Sequence, residues 1–244
     1  MKQQLLTITE NVPVTKTVYR MQLEGAELEE QKPGGFVNIR LDGLFLRRPI
    51  SVYDSVPGWL TILYKVVGKG TAQMAGMKSG ESLDVLTGLG NGYDLSKAGD
   101  RPLLLGGGVG VPPLYLLAKQ LIAGGKAVHA VLGFNTAEEV FGGEEFKALG
   151  CTVTVTTADG SCGIKGFVTD ALPEEYSYFF TCGPEPMLRA VHRATRTSGQ
   201  FSFEERMGCG FGACMGCSCR TITGYKRICR EGPVLEKEEI LWDD

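Results

Sequence analysis

The chain has 244 residues, 43% hydrophobic and 22% charged, with a net charge of −3. That length suits two modest domains or one large one, and the apolar share is enough for a buried core. The near-balanced charge excludes a polybasic footprint for nucleic acid or an anionic membrane, so neither is expected as a partner.

The opening MKQQLLTITE has neither the apolar stretch nor the cleavage pattern of a signal peptide. The most apolar segment, 102–122, is broken by glycines, by Pro112 and Pro113 and by Lys119, so it does not read as a membrane span. A cytoplasmic chain is expected. Disulfides are rare there, and clustered cysteines read as metal ligands or redox thiols. Residues 1–98 read as all-β. Segment 59–67, WLTILYKVV, alternates, with Leu60, Ile62, Tyr64 and Val66 on one face and Trp59, Thr61, Leu63 and Lys65 on the other. Tyr19, Met21 and Leu23 form a second alternating set. Val37, Ile39 and Leu41 form a third, with Asn38 and Arg40 between them. Turn residues separate these runs, which predicts a small antiparallel barrel or sandwich. Within it, LRRPISVYD at 46–54 carries Arg47 and Arg48, which can offer a pyrophosphate a planar fork, and Ser51, which offers a hydroxyl. Two surface arginines on a strand is the plainer account. GKGT at 68–71 either cradles a phosphate or turns the chain.

The rhythm changes near Asp100. Over 99–204, short apolar strands (RPLLL, AVHAVLGF, CTVTVTT, YFFTCGP, QFSFEE) alternate with helical stretches, including a short helix at GFVTDAL. That pattern predicts a parallel α/β sheet. The loop LLLGGGVGVPP leaves the first strand and enters a helix, where free N–H groups can face a phosphate. Gly106, Gly107, Gly108 and Gly110 are the candidates. The dinucleotide fingerprint fails here, because Val111 stands where its third glycine belongs. Pro112 or Pro113 occupies the first helical turn, where a missing N–H costs nothing. Cys182, followed by Gly183 and Pro184, ends the fourth strand, and open α/β sheets bind ligands at that end. A small buried residue explains Cys182 equally well. Segment 133–139, GFNTAEE, holds no basic group for a 2′-phosphate, which favours NAD over NADP. His129 and His192 have no partner pattern for catalysis, and no catalytic side chain is assigned.

Four of the eight cysteines fall between 209 and 219, and a fifth stands at 229. Cys209, Cys214, Cys217 and Cys229 give C-x4-C-x2-C-x11-C, and the first three match the plant-type [2Fe–2S] spacing. Glycines 208, 210, 212 and 216 let the loop wrap a cluster and offer N–H groups to its sulfurs. A structural zinc site is the alternative, but zinc ribbons bring two C-x2-C pairs and here there is one. Cys219 leaves C-x4-C-x4-C open as a second ligand set. Cys151 and Cys162 read as packing residues.

Taken in order, R-P-I-S, G-G-G-x-G, C-G-P-E-P-M and E-R-M-x-C-G-x-G-x-C-x-x-C resemble, over nearly the full chain, the electron-transfer subunits of NAD-linked dihydroorotate dehydrogenase, within the ferredoxin-reductase superfamily. CREGPVL at 229–235 and DGSCGIKGFVTD at 159–170 are similar to further segments of that family. The resemblance implies an FAD-binding β-barrel at 1–98, an NAD-binding α/β domain at 99–204 and a [2Fe–2S] arm at 205–244. It implies that Arg48, Pro49, Ile50, Ser51, Leu63, Tyr64, Lys65, Gly70 and Thr71 line FAD, and that Cys229 is the fourth cluster ligand. Many ferredoxin reductases have R-x-Y-S, with a tyrosine stacked on the flavin; Ile50 stands at that place here. The implied partner is an FMN-containing subunit that oxidises dihydroorotate, assembled two of each, with electrons running from FMN through the cluster and FAD to NAD+. Barrel, nucleotide domain and arm leave no room for a substrate-oxidising domain. The rivals are a subunit of a ferredoxin:NADP oxidoreductase or sulfide dehydrogenase, and a redox-sensing module without turnover.

Overall fold

The computed structural model describes residues 1–242. The last two residues of the expected arm, 243–244, lie outside them. Six strands close an antiparallel barrel: β1 (Lys2–Pro13), β2 (Val18–Glu24), β3 (Phe36–Ile39), β4 (Arg48–Val56), β5 (Trp59–Lys65) and β6 (Ser82–Leu89), in the order β1-β2-β5-β4-β3-β6 with β6 returning to β1. The alternating residues explain the closure. Leu60, Ile62 and Tyr64 of β5, Met21 and Leu23 of β2, and Val37 and Ile39 of β3 are all buried inside. Helix α1 (Lys69–Gly76) joins β5 to β6 and seals the barrel with buried Met74. The carbonyls ending that helix need donors. Asn11 supplies them, its Nδ2 donating to the Met74 and Met77 oxygens at 2.8 and 3.0 Å.

The second unit is a sheet with the order β10-β9-β8-β7-β11-β12-β15. Its parallel strands are β7 (Leu103–Gly107), β8 (His129–Phe134), β9 (Thr152–Thr157), β10 (Ile164–Lys165), β11 (Phe179–Cys182) and β12 (Gly199–Ser202), connected in part by α2 (Pro113–Ala123), α3 (Gly143–Leu149) and α4 (Glu185–Ala194). Pro113 takes the first position of α2. The expected helix at GFVTDAL is corrected to a 3₁₀ turn, Val168–Ala171. Gly166 before it has φ +129°, and the Asp170 carboxylate accepts from the Phe167 N–H at 2.7 Å, so the chain closes on itself instead of propagating.

After β12 the chain leaves the sheet, makes the cysteine loop and a hairpin of β13 (Ser218–Thr221) and β14 (Gly224–Arg227), then returns as β15 (Val234–Glu236). β15 pairs antiparallel with β12. The arm also packs on the outside of the barrel, where Phe36, Leu86 and Leu89 meet Cys217, Ile228, Cys229 and Leu235. Barrel and sheet share a core as well. Leu63, on the face of β5 opposite the barrel interior, is buried with Val18 and Tyr53 against residues of α2. Tyr53 stacks on Tyr115 at 4.2 Å, and Lys119 reaches Asp54 at 2.8 Å.

Candidate functional site

The cysteine loop is held open by residues at left-handed backbone angles, Gly210 (φ +79°), Gly212 (φ +91°) and Met215 (φ +61°). Its four candidate sulfurs act on one another: Cys214 on Cys209, and both Cys217 and Cys209 on Cys229. Among the described residues no three Cys, His, Asp or Glu side chains are grouped as one metal ion would need. A [2Fe–2S] centre asks for four thiolates, two on each iron, and the loop with Cys229 offers four candidates. Backbone N–H groups point at the sulfurs: Ala213 to Cys209 at 3.2 Å, Gly216 to Cys214 at 3.5 Å and Cys229 to Cys217 at 3.4 Å. Burial pushes the Cys209 thiol up, but N–H groups of Phe211, Cys214 and Ala213, with the Cys214 side chain, outweigh it and bring it down to about 6. Burial, then Cys217, pushes Cys229 up to about 12. Cys219 is in β13, paired with Lys226 across the hairpin. Its thiol is raised first by burial and then by Glu205.

On the barrel, β4 and α1 bring two motifs together. A Cβ added at Gly70 would lie 2.3 Å from Arg48 Nε, so the guanidinium lies across the first turn of α1. The N–H groups of that turn have no intrahelical acceptor, and with Arg48 they form a cradle for an anionic group. Arg47 has other work. It donates to the Asp84 carboxylate at 2.9 Å and to the Asn38 and Asp84 carbonyls. The expected two-arginine fork therefore reduces to Arg48. Pro49, Ile50 and Ser51 are half-exposed beside it. The Thr71 hydroxyl accepts from the Val67 and Gly68 N–H groups, so it shapes the turn. Leu63 and Tyr64 turn their side chains away into the two cores, and the Tyr64 hydroxyl donates to Asn11 at 2.9 Å. Only their main chain can face a ligand.

The glycine loop and Cys182–Gly183–Pro184 meet where the strand order reverses, between β7 and β11, with Gly106 paired to Cys182. Open α/β sheets take ligands at such a point. Packing alone requires three of the glycines. A Cβ at Gly110 would lie 2.3 Å from the Cys182 carbonyl oxygen, at Gly107 2.4 Å from Met187 Sδ, and at Gly106 2.9 Å from Val111. Gly108 (φ +52°) alone of the four borders open space. Desolvation pushes the Cys182 thiol up to about 12, so it stays protonated. Beneath it the buried Tyr93 hydroxyl donates to the Thr181 carbonyl at 3.1 Å.

Segment 133–139 itself holds no basic group, as expected, but the barrel brings two beside it. Lys16 and Lys65, both from the barrel, reach Glu138 at 2.7 Å and Glu139 at 3.6 Å. The fold supplies the charge that the local sequence lacks. Sequence reasoning also missed Tyr93 and the contact of Asn38 with the cysteine loop, where Nδ2 donates to the Cys209 carbonyl at 3.2 Å. Neither carries a local motif.

Comparison with known proteins matches this geometry. Residues 204–241 fit the model of the iron–sulfur cluster binding domain of dihydroorotate dehydrogenase B, and 104–193 fit an oxidoreductase NAD-binding domain. The chain is 43% identical to a Geobacillus sp. (strain WCH70) protein named dihydroorotate dehydrogenase B (NAD(+)), electron transfer subunit, covering 99% of each. A protein of the same name from Fusobacterium nucleatum is 45% identical, with 96% of each covered. A solved NADH-dependent reduced ferredoxin-NADP oxidoreductase chain superposes with a TM-score of 0.90 at 32% identity, covering 98% of this chain and 90% of that one. Phthalate dioxygenase reductase, at 19% identity and a TM-score of 0.65, covers 79% of this chain and 64% of its own, and shares the fold.

Proposed function

The chain belongs to the family of dihydroorotate dehydrogenase B (NAD+) electron transfer subunits, and from that premise we propose that it takes electrons from an FMN-bearing, dihydroorotate-oxidising partner and delivers them to NAD+ in pyrimidine biosynthesis. When bound, a [2Fe–2S] cluster exchanges single electrons, NAD+ takes a hydride, and FAD converts one kind of transfer into the other. The observation that carries this reading is the set Cys209, Cys214, Cys217 and Cys229, with backbone N–H groups directed at three of its sulfurs, on an arm docked to both barrel and sheet.

We assign those four cysteines as cluster ligands. Arg48 and the first turn of α1, through Gly70 and Thr71, hold the flavin pyrophosphate by charge and N–H donors. Pro49, Ile50 and Ser51, Lys65 and the main chain of Leu63 and Tyr64 complete that wall. Ile50 packs against a ring without aromatic stacking. Gly108, with Gly106, Gly107 and Gly110 keeping the loop tight against Cys182, Gly183 and Pro184, admits the dinucleotide. Exposed Phe211 and Met215 flank exposed Cys214, which supports a partner seated on that face. Assembly as two copies of each subunit is read from the family resemblance alone, and the mass of the complex tests it. The division at 1–98, 99–204 and 205–244 follows the barrel, the sheet and the arm. No helix among the described residues is long and apolar enough to cross a membrane. That, with eight unpaired cysteines, supports a cytoplasmic site.

The 32% identical ferredoxin-NADP oxidoreductase chain favours a second reading, a subunit of that class. Anaerobically purified protein is assayed alone and with an FMN partner. Alone it should reduce a dye with NADH and ignore dihydroorotate; with the partner it should couple dihydroorotate oxidation to NAD+ reduction. Protein stripped of iron but retaining FAD should keep the dye reaction and lose the coupling. Full coupling without iron would sink the reading, and coupling to ferredoxin but not to dihydroorotate would establish the rival.

A further inference from the structure

β3 presents a polar side chain to the seam between barrel and arm. Val37 and Ile39 point into the barrel core, and Asn38 between them faces outward. Around it the seam is apolar: Phe36, Leu86 and Leu89 meet Ile228 and Leu235. Asn38 is 1% exposed, and its Oδ1 is buried with no hydrogen-bond partner. Its Nδ2 donates to the Cys209 carbonyl at 3.2 Å. Reversing the amide would set two acceptors against each other, so the orientation is fixed. The fit is close. A Cβ added at Gly210 would lie 2.2 Å from Asn38 Nδ2. On its other side Asn38 pairs with Pro49 of the R-P-I-S strand.

A half-satisfied amide in an apolar seam is destabilising, and a leucine, with the same branched shape, would avoid the penalty. What leucine cannot do is hold the Cys209–Gly210 peptide. That peptide is planar and trans, so its C=O and N–H point in opposite directions. With the carbonyl on Asn38, the Gly210 N–H faces away from the barrel seam. The turn that follows sets the Ala213 N–H on the Cys209 sulfur. Hydrogen bonds to ligand sulfurs tune a cluster. Resting on the reading of these cysteines as cluster ligands, we propose that Asn38 is a positioning residue: it fixes the Cys209 turn against the flavin strand, and so sets the cluster's reduction potential and the speed of electron exchange with the flavin.

Asn38→Leu and Asn38→Ser holoproteins, each with the FMN partner, are compared with the unaltered protein. The readouts are iron and flavin content, thermal midpoint, the EPR spectrum of the reduced cluster, potentiometric titration and both turnovers. Asn38→Leu should keep iron and FAD and melt no lower than the unaltered protein. It should also shift the potential beyond titration error, alter the EPR spectrum and lose coupled turnover several-fold with the NADH–dye reaction unchanged. Asn38→Ser, too small to overpack, should give the same shift if the leucine variant fails to fold. An unchanged potential and spectrum in an iron-bearing variant overturns the proposal, whatever the melting temperature. Failure of both variants to load iron overturns it too, because Asn38 would then serve assembly. Unaltered protein lacking labile sulfide would instead overturn the cluster reading itself, and needs no variant to reveal it.

Discussion

Cys217 and Cys219 stand two positions apart in unlike surroundings. Cys217 is buried against Cys229 and its sulfur accepts the Cys229 N–H, whereas Cys219 lies within the ladder of β13 and β14. Alanine at Cys209, Cys214, Cys217 or Cys229 should therefore abolish iron and labile-sulfide content, while Cys219→Ala should leave both intact. The reverse result for Cys217 and Cys219 would exchange their roles. The two arginines divide in the same way. Arg47 is tied to Asp84, whereas Arg48 donates to the Leu46 and Arg47 carbonyls and lies across the first turn of α1. Arg48→Ala removes a charge-assisted hydrogen bond worth roughly 1.5–3 kcal/mol, and FAD affinity measured by titration of the apoprotein should fall about tenfold to a hundredfold. Retained affinity would make Arg48 a surface residue. From the residues alone either arginine could serve a phosphate or lie on the surface, and the family resemblance singles out Arg48. The structure adds a reason that Arg47 is engaged elsewhere, its tie to Asp84. The hydroxyl of Thr71 illustrates the same limit, since its partners are turn N–H groups that no motif reports.

At the scale of elements, the glycine loop is rigid for a reason outside itself. Gly110 lies against the backbone of the strand end at Cys182, which cannot give way as a side chain can. Gly110→Ala should cost on the order of 1–3 kcal/mol by overpacking, lower the thermal midpoint and weaken NADH binding while iron and FAD stay bound. An unchanged NADH affinity would separate the loop from the dinucleotide. Much of this architecture was legible. Alternation at Leu60, Ile62 and Tyr64 marks a half-buried strand, and the strand–helix rhythm after Asp100 marks a parallel sheet. Two things were not. Leu63 belongs to the polar-reading face of β5, yet it is buried, because a second unit covers that face. β15 is three residues long and pairs antiparallel with a strand far back in the chain, so neither periodicity nor composition announces it. The cysteine spacing was legible because the ligands are nearly contiguous. Asn38 was not, because its partner is distant in sequence.

Across the whole molecule, barrel and sheet are joined by charges as well as by a shared core, and the pairs Lys16–Glu138 and Lys65–Glu139 stand at the end of β8. Exposed pairs of this kind add little stability, but they set the local charge. Changing both Glu138 and Glu139 to Gln frees two lysines to attract a 2′-phosphate. Screened attraction on the order of 1 kcal/mol should raise the NADPH-to-NADH ratio of kcat/KM in dye reduction by about threefold to tenfold. A fixed ratio would place the adenosine ribose elsewhere. The return of β15 to β12 has a further consequence. Ser202 pairs with Val234, so residues 203–233 leave the sheet and come back to the same point. The ladder closes that loop through main-chain bonds in which no cysteine takes part. The entropy of closing a loop rises slowly with its length, by about 0.6 kcal/mol per doubling, and here the ladder has already met it. A loop closed at that point tethers its thiols at high local concentration, so iron-free protein should keep the circular-dichroism signal of barrel and sheet and regain iron without unfolding; loss of that signal on iron removal would show that the cluster holds the arm.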